Sequence, residues 1–154
     1  MGECKSIGTE AEIPWGWETI LLVEDQALVR EVTCQILESA GYVVLEADDA
    51  VDAMSIFLQR SGNIHLLLTD VVMPGKTGCV LAEELGALCP EMKIIFMSGY
   101  GERVAFVKAH QEPRMSHLSK PFSVQALLRK VRDLLDEKNF PTMVKVATRA
   151  AGSR

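Results

Sequence analysis

The sequence has no long hydrophobic run and no segment that resembles a leader. Its longest apolar runs have the length of a strand, far below the roughly 20 residues that cross a bilayer. The first residues, MGECKSIGTEAEIP, contain no apolar core of a signal peptide. These absences predict a soluble, cytoplasmic protein without a membrane as a partner.

The chain also lacks an excess of basic residues and any clustering of cysteines. Its formal net charge is −5 at pH 7, which argues against nucleic acid as a direct partner because phosphate binding needs a basic surface. The cysteines have no C-x-x-C pair and no histidine at metal-ligand spacing: Cys4, Cys34, Cys79 and Cys89. We therefore predict neither a zinc site nor a disulfide framework, and we interpret the cysteines as small apolar residues in a reducing compartment.

Short β-rich runs alternate with longer segments of helical period from residue 19 onwards. The chain of 154 residues is the size of one domain with tails. The predicted strands are 19–23, 42–47, 64–70, 92–98 and 115–119, and the predicted helices are 26–40, 49–60, 80–88, 102–110 and 124–135. Gly41 is the predicted C-terminal cap of the first helix, and Asp48 or Asp49 is the predicted N-cap of the second. Apolar residues recur every four positions in the first helix, at Leu28, Val32, Ile36 and Ala40.

The strands are apolar at consecutive positions, which predicts a parallel sheet covered by helices on both faces. Right-handed crossovers then give a doubly wound α/β sheet. We assign residues 1–17 to an N-terminal linker, 18–137 to the domain, and 138–154 to a basic C-terminal tail. Trp15 and Trp17 are predicted to pack on the edge of the first strand or to belong to the linker, with a partner-binding patch as the alternative.

Polar side chains follow four of the predicted strands. The first strand ends in Glu24-Asp25, the third in Asp70, the fourth in Ser98 and the fifth in Ser119-Lys120-Pro121. Ligands of open parallel sheets bind beyond the carboxyl ends of the strands, so we expect these groups to converge on one pocket.

Three carboxylates in close company repel one another, and their pKa values rise unless a cation neutralises them. A ligand set of hard oxygens without His or Cys favours Mg²⁺, with Mn²⁺ as an alternative occupant. Lys120 adds a mobile positive charge suited to phosphate. The pattern predicts phosphoryl transfer to a carboxylate nucleophile. His65 and His110 show no partner pattern, and we assign them no role.

The segments ILLVEDQALVR, LLLTDVVMPGKTG, IIFMSGYG and HLSKPF, in this order and spacing, resemble the receiver domain of two-component response regulators. The resemblance runs from about residue 18 to 137. The segment FMSGY is most similar to receivers of hybrid sensor histidine kinases. It implies a flavodoxin-like, or CheY-like, five-stranded parallel sheet in the order 2-1-3-4-5 with helices on both faces.

The resemblance implies a role for each acidic residue of the expected pocket. Asp70 matches the phosphoacceptor, which takes a phosphoryl group from a phosphohistidine, and it also binds the metal. Asp25 matches the direct Mg²⁺ ligand, and Glu24 matches the acid that reaches the metal through water. Val72 would supply a backbone carbonyl to the metal.

The remaining matched positions would bind and sense the phosphoryl group. Ser98 matches the hydroxyl that moves to the phosphoryl oxygen, and Lys120 matches the lysine that binds it from the other side. The Lys120–Pro121 peptide bond is expected to be cis. His117 occupies a position that is commonly Tyr or Phe in the family and that reports movement of the hydroxyl. A surface histidine without that role is the alternative.

The resemblance implies a switch rather than a conventional enzyme, since the domain would catalyse only its own phosphorylation and slow self-dephosphorylation. The donor would be a histidine kinase or a phosphotransfer protein, and Gly101 to Ser119 would bind a protein partner or a second copy. No output domain is expected after Glu137, so the output is another protein or a parent chain.

Two other functions compete with this interpretation. A haloacid-dehalogenase-like phosphatase needs a second Asp two positions after Asp70, where the chain has Val72. A degenerate receiver that acts as a constitutive binding module would be expected to have lost Asp70, an acidic partner or Lys120, and all are present.

We predict slow self-dephosphorylation. Hydrolysis needs a water in line with the aspartyl-phosphate bond, and the side chains best placed to admit it are Val72 and Tyr100, two residues after Asp70 and Ser98. Neither is an acid or an amide that orients water. The measurement is the phosphorylated lifetime beside that of a fast chemotaxis-type receiver; an equal or shorter lifetime would contradict the prediction.

Overall fold

A five-stranded parallel sheet in the order β2-β1-β3-β4-β5 forms the centre of the molecule. The computed structural model describes residues 14–99 and 112–137. The strands are β1 (Thr19–Val23), β2 (Val43–Ala47), β3 (Leu66–Asp70), β4 (Lys93–Ser98) and β5 (Met115–Ser119). The predicted doubly wound fold and strand order are therefore confirmed.

Four helices are described: α1 (Ala27–Ser39), α2 (Ala50–Gln59), α3 (Gly78–Leu88) and α4 (Val124–Asp136). Asp49 caps α2 by accepting a hydrogen bond from the Asp52 amide, as predicted. Gly41 follows α1 with φ +103°, the left-handed conformation that a C-terminal cap needs. The helix predicted over 102–110 lies outside the described residues. Within 14–99 and 112–137, no helix has the length and apolar character to cross a bilayer.

The apolar core lies on both faces of the three central strands. Every residue of β3 and β4 is buried, and β1 is buried from its second residue. The prediction of cover on both faces is wrong for β2, where Val43 is 48% exposed. This strand lies at the edge of the sheet, so it has fewer helices and strands to pack against.

Only the second half of the predicted apolar row of α1 faces the core, where Ile36 packs against buried residues and Ala40 is fully buried. Leu28 is 76% exposed and Val32 is 54% exposed, whereas Thr33, Cys34 and Leu37 are buried. A strict four-residue spacing advances about 40° per step around a helix of 3.6 residues per turn, so such a row drifts away from the core. Val80, Leu88 and Val124, which are apolar residues of the later helices, are also exposed.

The residues just before β1 contact the domain. The Gly16 amide donates to the Ala40 carbonyl at 2.9 Å. Trp17 is largely exposed, but its ring meets the edge of the His65 ring at 5.1 Å between centroids. His65, to which the sequence assigned no role, accepts a hydrogen bond at Nδ1 from the Thr19 amide at 3.0 Å. This contact joins the start of β1 to the segment before β3.

Arg132 of α4 ties the start of β1 to the C-terminal helix. Its guanidinium donates to both carboxylate oxygens of Glu18, at 3.1 and 2.7 Å, and to the Tyr42 hydroxyl at 3.2 Å. Burial raises the pKa of Glu18, but the hydrogen bonds from Arg132 and nearby backbone amides outweigh burial and hold the pKa below 4.5. The carboxylate is therefore stabilised in the folded state.

We predict that Arg132→Met lowers the free energy of unfolding at pH 7 by about 3 kcal/mol, because it leaves a buried carboxylate unpaired. Since the folded pKa of Glu18 is depressed, the stabilisation is present above pH 4.5 and is lost as the pH falls further. The measurement is urea unfolding at pH 7 and at pH 3. Arg129→Met, at an exposed position of α4, is the matched control. Equal effects of the two substitutions would contradict the prediction.

Candidate functional site

The side chains predicted to converge do so at the carboxyl edge of the sheet. Glu24 and Asp25 follow β1, Asp70 ends β3, Ser98 ends β4, and Lys120 follows β5. The parallel register brings these strand ends to one level, with Asp70 beside Met97 and Ser98 beside Ser119. A cavity of about 220 Å³ is lined by Glu24, Asp25, Gln26, Asp70, Val72, Met97, Ser98, Gly99 and Lys120.

One ammonium group lies between two buried carboxylates. Lys120 Nζ is 2.7 Å from Glu24 Oε1 and 2.6 Å from Asp70 Oδ1. Glu24 is fully buried and Asp70 is 4% exposed. The contact with Glu24 is a well-formed hydrogen bond, whereas the contact with Asp70 Oδ1 is an ion pair that lacks hydrogen-bond geometry.

Burial, and then the neighbouring Glu24, raise the pKa of Asp70 to about 8, although Lys120 acts in the opposite direction. Burial also raises the pKa of Glu24, but hydrogen bonds from Asp70, Lys120 and the Gln26 amide hold it below its usual value. Burial lowers the pKa of Lys120, and its bonds to Asp70 and Glu24 reverse this, so the ammonium stays charged. Without a further cation, the ionised form of Asp70 is therefore disfavoured. The raised pKa agrees with the repulsion expected from the sequence.

The acidic residues fit a hard divalent cation. Glu24, Asp25 and Asp70 each present a carboxylate oxygen, and these atoms lie within 4.8 Å of one another. Among the described residues, Asp70 Oδ1 is a buried oxygen without a hydrogen-bond partner. Asp25 is exposed, so a cation beside it would keep water on its open side. Hard oxygens with access to water are the ligands that Mg²⁺ prefers.

Ser98 is in contact with His117. The Ser98 hydroxyl is hydrogen-bonded to Nε2 of His117, a half-buried residue of β5. The Ser98 carbonyl also accepts from the Lys120 amide at 2.8 Å. The Lys120–Pro121 peptide bond is cis, as the sequence resemblance implies. Tyr100 and residues 101–111, to which the sequence also assigns roles, lie outside the described residues.

The sequence analysis did not identify two residues that support the site. Arg30 of α1 donates to the Glu24 carbonyl at 2.7 Å. Gly78 opens α3 against the end of β3, where an added Cβ would lie 1.8 Å from the Asp70 carbonyl oxygen. Gly78 is recognisable in the sequence as the last residue of PGKTG. Its close approach to the backbone of Asp70, however, is a tertiary contact that the sequence does not reveal.

We predict that Asp70→Asn stabilises the protein in the absence of divalent cations. Because the pKa of Asp70 is raised on folding, the free energy of unfolding falls as the pH rises from 3.8 to about 8. The amide removes this cost, and we expect a gain of about 2 kcal/mol at pH 8, the scale found when a buried charge is replaced.

The measurement is chemical unfolding in a chelator at pH 5 and pH 8. Asp25→Asn, at the exposed acid of the same cavity, is the matched control and is expected to change stability less. A loss of stability in Asp70→Asn at pH 8 would contradict the account of this carboxyl group.

The family model and the similar proteins identify the same family. Residues 20–132 match the response regulator receiver domain. The chain is 36% identical over 124 residues to Sensor kinase CckA of Brucella abortus, which covers 80% of this chain and 13% of that protein. It is 35% identical over 117 residues to Response regulator receiver protein CpdR of the same organism, which covers 75% of this chain and 95% of CpdR.

A solved structure shows the same relationship. The crystal structure of the receiver domain from the hybrid histidine kinase CckA aligns with a TM-score of 0.65 at 31% identity, covering 77% of this chain and 99% of that one. The chain thus spans about an eighth of the CckA sequence and nearly all of CpdR. Because the family match covers most of the chain and includes the whole cavity, the chain belongs to the response regulator receiver domains of two-component systems.

Proposed function

We propose that this chain is a phosphorylation-controlled switch in which Asp70 accepts a phosphoryl group from a phosphohistidine of a histidine kinase or phosphotransfer protein. The observation that carries the proposal is the Asp70 carboxyl group itself. It is buried, forms an ion pair with Lys120, and lies with two further acids at the mouth of a cavity.

In the transfer, an oxygen of Asp70 forms a bond to phosphorus while the bond from phosphorus to the donor imidazole breaks, and the imidazole leaves with the electron pair. Asp70 has to be ionised to attack, and burial opposes that ionisation. Lys120 favours it and is positioned by Glu24 to follow the developing charge on the phosphoryl oxygens. Ser98, at the end of the adjacent strand, offers a hydroxyl to the same group.

Mg²⁺, held by Asp25, Asp70 and the Val72 carbonyl, with Glu24 acting through a water, would supply positive charge that ionises Asp70 and neutralises the phosphoryl oxygens. The resemblance implies this division of roles, and the burial of Glu24 supports it. The carboxylate of Glu24 is enclosed and already accepts from Lys120 and the Gln26 amide, which leaves lone pairs for a water. Asp25 is exposed and free to approach the ion directly.

The surface beside the cavity suits a protein donor. Helix α1 begins at Ala27, next to Gln26 in the cavity wall, and its exposed face carries Leu28 and Val32. These exposed apolar side chains are available for contact with a protein that approaches the cavity. We assign this surface to the phosphohistidine protein, since the donor has to reach Asp70 from the same side.

The output surface in this proposal is the segment Gly101 to Ser119. Movement of Ser98 towards the phosphoryl group would be transmitted to β5 through its contacts with His117 and Lys120. A protein partner or a second copy of the chain would bind there, in a cytoplasmic signalling pathway. Two arrangements fit this proposal: a receiver within a hybrid kinase, as in CckA, and a separate receiver protein, as in CpdR.

The decisive experiment is binding of beryllofluoride with Mg²⁺, observed by ¹⁹F and amide NMR. The wild-type chain is expected to bind, and Asp70→Asn is expected to lose binding because beryllium bonds to a carboxylate oxygen. Asp48→Asn, at an exposed acid that follows β2, is the matched control and should bind like the wild type.

If the wild-type chain does not bind beryllofluoride, the degenerate binding module is favoured and the proposal fails. Binding that persists in Asp70→Asn would likewise exclude Asp70 as the phosphoacceptor.

A further inference from the structure

The hydrogen bond between Ser98 and His117 connects the switch hydroxyl to a side chain that is able to reverse its hydrogen-bonding role. We infer that His117 is a positioning residue for Ser98, and that its neutral imidazole changes from the Nδ1–H to the Nε2–H tautomer when Asp70 becomes phosphorylated. The inference rests on the proposed function and deepens it, because it names what holds the hydroxyl in each state.

The geometry leaves the side chain of Ser98 as the movable part. Its carbonyl is fixed by the Lys120 amide at 2.8 Å, and its residue is 3% exposed at the end of β4. His117 lies on β5 in register with Phe96, and its Nε2 meets the Ser98 hydroxyl. The sheet therefore holds the imidazole beside the hydroxyl.

A serine hydroxyl has one proton to donate and two lone pairs that accept. A phosphoryl oxygen only accepts, so Ser98 can bind it only by donating that proton. Before phosphorylation, the buried Ser98 hydroxyl needs an acceptor for its proton, and Nε2 of His117 is in contact with it. We therefore place Nε2 as the acceptor in this state, which puts the ring proton on Nδ1. After phosphorylation, the hydroxyl donates to the phosphoryl oxygen, and its bond to His117 persists only if Nε2 donates.

The two tautomers therefore correspond to the two states of the switch. A phenylalanine at this position has no nitrogen and could not hold the hydroxyl in either direction. With histidine, the hydroxyl is held away from the phosphoryl position in one state and supported by a donor in the other. The nitrogen that carries the ring proton of His117 thus depends on whether Asp70 is phosphorylated.

The direct test is ¹⁵N NMR of the imidazole rings, with and without beryllofluoride and Mg²⁺, at a pH well above the titration of an ordinary imidazole. The chain has three histidines, and His110→Gln assigns the third. His65 is an internal standard: its Nδ1 accepts from the Thr19 amide, a group that only donates, so its ring is the Nε2–H tautomer. It lies near the amino ends of the strands, far along β3 from Asp70.

We expect His117 to show the Nδ1–H pattern without beryllofluoride and the Nε2–H pattern of His65 with it. The change should persist in Ser98→Thr, which keeps the hydroxyl, and should be absent in Ser98→Ala at saturating beryllofluoride. The same tautomer in both states, or a change that persists in Ser98→Ala, would overturn the inference.

Failure of this inference is distinguishable from failure of the proposed function. Binding reported by ¹⁹F signals without a tautomer change overturns only the role of His117. Absence of binding to the wild-type chain overturns both.

Discussion

The ammonium group of Lys120 lies between the buried carboxylates of Glu24 and Asp70, and the rest of the site depends on this contact. Burial beside a second buried acid raises the pKa of Asp70 to about 8, and the one positive charge of Lys120 does not offset this rise. The site consequently favours any further positive charge, such as a divalent cation. Without it, the ionised carboxylate of Asp70 is costly to stability.

The sheet holds the charged groups of the site together despite their excess of negative charge. Strands β1, β3 and β4 are enclosed, so the groups at their carboxyl ends have little freedom to separate. The backbone of Asp70 is further enclosed by Gly78, where any side chain would meet its carbonyl oxygen. On the other side, β4 and β5 are joined through Ser98, both by its carbonyl and by its hydroxyl. A movement of Ser98 therefore changes hydrogen bonds to a partly exposed strand.

Much of the fold was predictable because the central strands are continuous apolar runs that end in polar residues. The runs before Glu24, Asp70 and Ser98 gave the strands to within two residues, and the order of these ends gave the cavity. The buried face of α1 was not predictable from a four-residue repeat, because Leu28 and Val32 are displaced around the helix. The contact of His65 with Thr19 joins residues that are distant along the chain, and no local pattern encodes it.

The central claim is that Asp70 forms a covalent bond to phosphorus. The most direct measurement is intact mass spectrometry after treatment with phosphoramidate and Mg²⁺, followed by borohydride reduction and peptide mapping. The account predicts a mass increase of one phosphoryl group, dependent on Mg²⁺, and conversion of Asp70 to homoserine. No mass increase, or a modification mapped to another residue, would contradict it.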